Sequence, residues 1–242
     1  MKIAICLSGI DRCFNETAPF LMENMVKPLN ADVFIHTWKS DSLSDRFVEN
    51  KNNEKLYANI AKKYEIENFN SNWNFLKCTQ KANIVPMYYS IYKSFSIVPD
   101  DYDVIIRSRF DSLYINKFII PKIIPNNVYI RLNGWNKNNY VSRNNFILEG
   151  YNLPFVADNF AIGDLHSMKE YSSVYLGLNT YIRSNIPECC LAEQLHYKNI
   201  SYQWFNNLEY MSLISIDNNI LKFESDYKEK KHIYIERKNN DI

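Results

Sequence analysis

Three short apolar segments in the first 110 residues constrain the fold most, because each is too short for a helix and each ends in polar side chains. They span Lys2 to Leu7, Asp32 to His36 and Val104 to Ile106. Segments of helical period separate them, and this alternation is typical of an α/β protein. We therefore expect a mostly parallel sheet flanked by helices, with ligands bound beyond the carboxyl ends of the strands.

Length and composition favour one folded domain. The chain has 242 residues, of which 46% are hydrophobic and 15% aromatic, and this is enough for a large core. No internal repeat or linker divides it, so we expect one domain over residues 1–215 and a charged, partly ordered tail over 216–242. The last twenty or so residues carry cations that alternate with acidic residues, namely Lys228, Lys230, Lys231, Arg237 and Lys238.

Several classes of function are disfavoured. The net charge of +1 provides no global field for nucleic acid, so any anion site must be local. No glycine-rich dinucleotide fingerprint and no Walker A motif occurs. No apolar run is long enough to span a membrane, which leaves at most peripheral contact through the basic tail. Five cysteines without a C-x-x-C pair indicate reduced thiols and a cytoplasmic location.

The strongest candidate site follows the third apolar segment, where Arg107, Arg109 and Asp111 alternate. An extended chain places alternate side chains on one face. Three charges at the end of a buried strand are costly without partners. Arginines suit a phosphate, and a carboxylate suits a divalent metal or a sugar hydroxyl. The pattern therefore favours a nucleotide-diphosphate ligand, and a structural network of salt bridges is the alternative.

Other side chains near strand ends are candidates for the same ligand. The turn after the first strand offers backbone N–H groups and a nearby arginine for an anion. An aromatic residue after the second strand is suited to stacking on a base or sugar, and a helical lysine to meeting a phosphate. The structural alternatives are a tight turn and an aromatic core. These candidates are Ser8, Gly9, Arg12, His36, Trp38 and Lys93.

Three acids are candidates for general-base catalysis. Asp158 interrupts an apolar segment, 155–162, that we expect to be a strand, and burial there would raise its pKa. Asp164 follows Gly163 a few residues later. Glu188 follows Pro187 at the start of an expected helix over 187–197, where the helix dipole alone also explains an acid.

Taken in order, these segments resemble a known family. The set comprises Leu7-Ser8-Gly9 with Arg12, 32–38 (DVFIHTW), 107–111 (RSRFD), 158–163 (DNFAIG) and Pro187-Glu188. It is similar to bacterial and large-virus glycosyltransferases of the surface-polysaccharide type, near the WavE-like lipopolysaccharide synthesis proteins. The resemblance covers roughly residues 1–205.

The resemblance implies a GT-A-like, Rossmann-type fold and the transfer of a sugar from a nucleotide-sugar donor to a glycan or lipid-linked acceptor in capsule, lipopolysaccharide or glycoprotein assembly. Such enzymes commonly hold Mn²⁺ or Mg²⁺ with a D-x-D motif. Asp111 occupies the matching place, but Arg109 stands where the first aspartate is expected. A nucleotidyltransferase of similar fold and a non-catalytic glycan-binding module remain alternatives.

Overall fold

The protein is an α/β domain, seen in a computed structural model. Its strands are β1 (Ile3–Gly9), β2 (Asp32–Trp38), β3 (Lys63–Glu67), β4 (Val104–Ser108), β5 (Ser112–Tyr114), β6 (Asn127–Arg131), β7 (Asn145–Leu148), β8 (Tyr151–Pro154), β9 (Ala161–Asp164), β10 (Ser201–Phe205), β11 (Met211–Asp217), β12 (Ile220–Glu224) and β13 (Ile235–Glu236). The structure describes residues 1–39, 53–69, 81–131, 145–148, 151–154, 156–184, 186–205, 211–217, 220–224 and 235–236. The expected polar loop over 133–145 lies almost wholly outside these ranges.

Along the chain, the helices alternate with strands of the main sheet, and they pack on its two faces. They are α1 (Phe14–Leu21), α2 (Lys27–Leu29), α3 (Glu54–Ile60), α4 (Lys81–Ser96), α5 (Leu165–Ser172), α6 (Val174–Gly177) and α7 (Pro187–Tyr197), with a π-helical turn, Met22–Val26, joining α1 to α2. Within the described ranges, no helix combines the length and the apolar character that crossing a bilayer requires.

Seven strands form the main sheet, in the order β3-β2-β1-β4-β9-β6-β10. Neighbouring strands are parallel except where β9 runs antiparallel to β4 and β6. This confirms a mostly parallel sheet flanked by helices. The order β3-β2-β1-β4 is that of a Rossmann nucleotide-binding half.

Two apolar cores cover the two faces of this sheet. One face, here called the α1 face, packs Ile5 and Ile106 against α1 and α3. The opposite face, the α4 face, packs Cys6 and Ile105 against α4, α5 and α7. Alternate residues of each strand therefore enter different cores, as the two-residue period of a strand requires.

Three local expectations are wrong. The helix expected over 53–64 ends at Ile60, and its last residues belong to β3, a half-polar edge strand. Pro28 does not stop the first helical region, which reaches Leu29 because the proline lies in the first turn of α2. Pro86 lies inside α4 instead of at its start.

A second, antiparallel sheet has the order β13-β12-β11-β5. Strand β11 pairs with β5 at one side and with β12 at the other. The expected domain boundary between residues 215 and 216 falls inside β11, and β12 and β13 belong to the segment expected to be a tail. The basic residues of that segment at 228, 230, 231, 237 and 238 lie outside the described residues.

Candidate functional site

The candidate site lies where β1 and β4 end side by side. Strand β1 is followed by α1 on one face of the sheet, whereas β4 is preceded by α4 on the other face. The chain thus changes direction between these two strands, and open α/β sheets bind ligands in the crevice at such a switch point. Register pairs Leu7 with Ser108, so Ser8, Gly9 and Arg109 lie at the carboxyl edge.

Arg107 is the most unusual residue of this edge. Its side chain shares the α4 face with Ile105, and the residue is 2% exposed. Neither Nε nor Nη1 has a hydrogen-bond partner, and no described carboxylate forms an ion pair with it. Burial lowers the pKa of Arg107, while the nearby Tyr171 and Asp158 act in the opposite direction. A buried guanidinium that forms no ion pair and leaves two nitrogens without hydrogen bonds is a candidate anion site.

Arg109 and Asp111 do not continue the alternation, because β4 ends at Ser108. The two side chains instead form a bidentate pair, with Nε to Oδ1 at 2.8 Å and Nη2 to Oδ2 at 2.6 Å. The exposed Arg12 lies 3.9 Å from the same Oδ2. The expectation that Arg107, Arg109 and Asp111 project together from one strand is therefore wrong. Arg109 and Asp111 instead form the structural salt bridge that the sequence analysis gave as the alternative to ligand binding.

This pairing bears on the expected metal. Each oxygen of Asp111 accepts a hydrogen bond from Arg109, so the negative charge of this carboxylate is already paired in this conformation. The described residues also contain no group of three His, Cys, Asp or Glu side chains placed to hold a metal ion. The residues present do not fit Mn²⁺ or Mg²⁺ at Asp111.

The turn after β1 is held by side chains. Gly9 has φ 109°, a left-handed conformation that favours glycine. Its N–H donates to Ser90 Oγ at 2.8 Å, and its carbonyl accepts from Thr37 Oγ1 at 2.8 Å. The sequence predicts that backbone N–H groups of this turn bind an anion. The Gly9 N–H is not available for that role, because it already donates to Ser90. Ser8 Oγ, in contrast, is buried without a hydrogen-bond partner.

His36 has a structural role beneath this turn. Its Nδ1 lies 2.8 Å from Ser90 Oγ, and its Nε2 lies 3.5 Å from Glu67 Oε1 without forming a hydrogen bond. Burial lowers the pKa of His36 to about 4, although Glu67 opposes the shift. The imidazole is therefore neutral near pH 7 and braces Ser90, and it is not a ligand contact.

Trp38 and Lys93 are also engaged within the protein. Trp38 is 5% exposed and stacks on Tyr89 with centroids 5.6 Å apart, so it belongs to the aromatic core. Lys93 Nζ lies 3.0 Å from Glu67 and 3.3 Å from Glu65. The structure supports neither a stacking role for the tryptophan nor a phosphate contact for the lysine.

Two of the three candidate acids meet at the carboxyl edge. Asp158 lies in the loop before β9 and not within a strand, because β9 begins at Ala161. Since β9 runs antiparallel and pairs Ala161 with Arg107, this loop reaches the same edge as Arg107. The N–H of Val156 donates to the Glu188 carbonyl at 3.1 Å. Burial raises the pKa of Glu188, and the charge of Asp158 raises it further.

Asp164 lies at the other edge of the sheet. It pairs with Val104, the first residue of β4. Its carboxylate caps α5, accepting from the Ser167 N–H at 2.8 Å and hydroxyl at 2.9 Å, and it also accepts from the Asn126 N–H at 2.9 Å. A catalytic role for Asp164 at this site is wrong, and its role is a helix cap.

Tyrosines complete the site and were not among the sequence candidates. The Tyr171 hydroxyl is fully buried without a hydrogen-bond partner and lies near Arg107. Tyr88 Oη donates to the Pro187 carbonyl at 2.5 Å, fixing the start of α7. Both occupy regular core positions of their helices, so periodicity alone gave no sign of them. Their only sequence signal is a hydroxyl on an apolar helix face.

Comparison of the sequence with protein-family models and with curated proteins finds no match. The site combines three features: the buried Arg107 without an ion pair, the Arg109–Asp111 pair with Arg12 at its exposed rim, and the neighbouring acids Asp158 and Glu188.

Proposed function

We propose that this protein is a nucleotide-sugar-dependent glycosyltransferase that acts on a surface-glycan or lipid-linked acceptor. One observation carries the proposal: a buried arginine that forms no ion pair with a described carboxylate lies at the switch point of a Rossmann-type sheet. The donor diphosphate supplies the missing negative charge, and its bidentate geometry suits a guanidinium.

Two more arginines, Arg12 and Arg109, extend this anion site at its exposed rim. Arg109 and Arg12 both face Asp111, and a diphosphate can compete with that carboxylate for the two guanidinium groups. Asp111, once released, is free to accept a hydrogen bond from a ribose or sugar hydroxyl. The positive charges act when the bond from the sugar to the diphosphate breaks and its electron pair moves to the leaving oxygen.

The acids supply the second half of the reaction. The acceptor oxygen forms the new bond to the anomeric carbon and gives its proton to a carboxylate, if the enzyme inverts configuration. Asp158 is the assigned base because it shares the carboxyl edge with Arg107. Glu188 is its rival, because it neighbours Asp158 and burial raises the pKa of its carboxyl.

The glycan-binding alternative is less well supported. Such modules present exposed aromatic faces to sugars, and Trp38 is buried. Among the described residues, Phe20 is the one aromatic side chain in the set of exposed large apolar residues. A nucleotidyltransferase would use the same anion site, and the assay below separates it by its product.

The GT-A-like assignment belongs to the same proposal. Its support is the β3-β2-β1-β4 half-sheet followed by an antiparallel β9 that carries the acidic loop to the donor side. The resemblance of the ordered segments to WavE-like proteins supports the same assignment. Metal ions enter the test as additives, and no step of the proposed reaction depends on one.

The test is a thermal-unfolding screen with UDP, GDP, CDP and CMP, each with and without Mn²⁺ and Mg²⁺. A nucleotide at a hundredfold excess over its Kd stabilises the folded state by about 2.7 kcal/mol. We expect the unfolding midpoint to rise by about 5 °C or more with one of them. The matching nucleotide sugar should then release its nucleotide in the presence of a glycan acceptor, whereas a nucleotidyltransferase would release pyrophosphate from a nucleoside triphosphate and a sugar phosphate.

Matched variants locate the binding. Arg12→Ala removes an exposed cation of the site, and Lys169→Ala removes a comparably exposed cation on α5 that pairs with Asp100. We expect the first to weaken nucleotide binding about tenfold and the second to leave it unchanged. Stabilisation by no nucleotide, or an equal loss in both variants, would reject the proposal.

A further inference from the structure

Residues 115–125, which connect β5 to β6, form an extended strap across the α1 face. Phe118 is buried in the α1-face core, and Ile120 and Ile123 pack partly against it. The carbonyl of Lys122 accepts a hydrogen bond from Tyr129 Oη at 2.6 Å. The inward side chains thus hold the strap to the domain.

The helical region beneath the strap fixes its first half. Asn24 Nδ2 donates to the carbonyls of Tyr114 at 2.6 Å and Ile115 at 3.3 Å, and the Asn24 carbonyl accepts from the Phe118 N–H at 2.7 Å. Phe20 lies one helical turn before Asn24 and is 41% exposed. The strap is therefore held in a defined position on this helical region.

The outward side of the strap is apolar and basic. Ile115, Ile119 and Ile124 are 52%, 63% and 39% exposed. Lys117 and Lys122 lie between them, both exposed, and neither forms an ion pair with a described carboxylate. No acidic residue occurs between positions 115 and 125. Exposed isoleucines concentrated in one short segment indicate a binding surface and not random exposure.

Charge complementarity selects the occupant. Isoleucines that enter the acyl boundary, together with lysines whose ammonium groups reach lipid phosphates, are the combination that binds anionic bilayers. A second copy of the chain is a poorer fit, because a two-fold interface would bring the same unpaired lysines against each other.

We propose that the 115–125 strap docks this protein on an anionic lipid surface. The docking uses the α1 face, whereas Arg107, Asp158 and Glu188 belong to the α4 side of the carboxyl edge. The inference does not depend on the proposed transferase activity, and it differs from a contact made by the basic residues near the carboxyl terminus.

The experiment is vesicle co-sedimentation of the full chain. Phosphatidylcholine vesicles are compared with vesicles in which half the lipid is phosphatidylglycerol. We expect binding to the anionic vesicles alone, weakened by added salt. Ile115→Ser with Ile119→Ser should reduce partitioning at least about tenfold, and Lys117→Gln with Lys122→Gln should reduce it about fivefold for each lysine.

Control variants come from the opposite face of the sheet. Leu176→Ser, at an exposed apolar residue as accessible as Ile115, and Lys169→Gln should leave partitioning unchanged. Circular dichroism checks that the strap variants are folded. Failure to bind anionic vesicles, or binding that the strap variants retain, would overturn the proposal. So would a dimer that dissociates in the strap variants without any vesicle binding.

Discussion

A charged side chain in a protein interior is stable only when partners compensate its charge, and Arg107 forms no ion pair with a described carboxylate, although the charge of the nearby Asp158 acts on it. Its Nε and Nη1 have no hydrogen bond, and the Tyr171 hydroxyl beside it has none either. Folding thus leaves a strongly unfavourable group at the carboxyl edge. Burying the Arg107 charge lowers the free energy of unfolding, and an anionic ligand would restore it on binding. This pattern is expected of a ligand site.

This imbalance predicts opposite effects of one substitution on stability and on binding. Arg107→Met keeps much of the side-chain volume and removes the buried charge. We expect the free energy of unfolding of the free protein to rise by about 1–3 kcal/mol, while nucleotide binding is lost. Urea denaturation and calorimetric titration measure the two quantities. A strongly destabilised variant would mean that the charge is already compensated in the free protein.

His36 predicts a dependence of stability on pH. The pKa is about 4 in the folded protein and about 6.5 when unfolded, so the unfolded chain binds the additional proton first as pH falls. The stability contributed by the neutral imidazole is complete above about pH 6.5 and decreases towards pH 4. The loss from this residue is on the order of 3 kcal/mol.

The substitution His36→Asn isolates this effect. Asparagine keeps a polar atom near the position of Nδ1 for Ser90, and it does not titrate. Unfolding midpoints measured between pH 7 and pH 4 should fall less steeply in this variant than in the native protein. His166→Asn, at an exposed histidine on α5, should retain the native slope. Identical slopes in all three proteins would contradict the role assigned to His36.

At the scale of elements, the apolar strands were predictable and the polar connections were not. Strands β1, β2 and β4 are nearly continuous apolar runs, and α7 begins and ends at the expected Pro187 and Tyr197. Strand β3 was not predicted from the sequence, because only Tyr64 and Ile66 of its five residues face the core. The loop at 156–160 reads as a strand because four of its five residues are buried. A buried loop and a buried strand therefore show the same apolar pattern in the sequence.

The cap of α5 gives a prediction at this scale. Asp164→Ala removes three hydrogen bonds at the start of the helix, and we expect a loss of about 1–2 kcal/mol in the free energy of unfolding. Nucleotide binding should not change, because Asp164 lies at the edge opposite Arg107. Asp101→Ala, at an exposed acid of the same edge, should change stability by less than about 0.5 kcal/mol. Loss of binding in Asp164→Ala would place the ligand elsewhere.

At the scale of the whole molecule, the direction of one strand decides which candidate acid lies at the same edge as Arg107. Because β9 is antiparallel, the loop holding Asp158 reaches the carboxyl edge and Asp164 is carried to the amino edge. A parallel strand would have exchanged them. Both acids were candidates from the sequence, and no local pattern distinguishes them, because the direction of β9 is set by its pairing with β4 and β6.

The same topology gathers the site from four separate segments. The end of β1, the end of β4, the loop before β9 and the start of α7 contribute Ser8, Arg107, Asp158 and Glu188. Local spacing predicted Arg107 as a site residue but placed it on one face with Asp111. Its separation from the Arg109–Asp111 pair follows from the end of β4 at Ser108, which only the packed sheet reveals.

The most direct test of the central claim is a crystal structure of the protein with the nucleoside diphosphate that stabilises it most. The account predicts phosphate oxygens within about 3 Å of the Arg107 guanidinium, in the crevice between β1 and β4, with the Arg109–Asp111 pair opened. A nucleotide bound at the amino edge of the sheet, or one bound at the crevice while Arg107 stays without a phosphate contact, would contradict it.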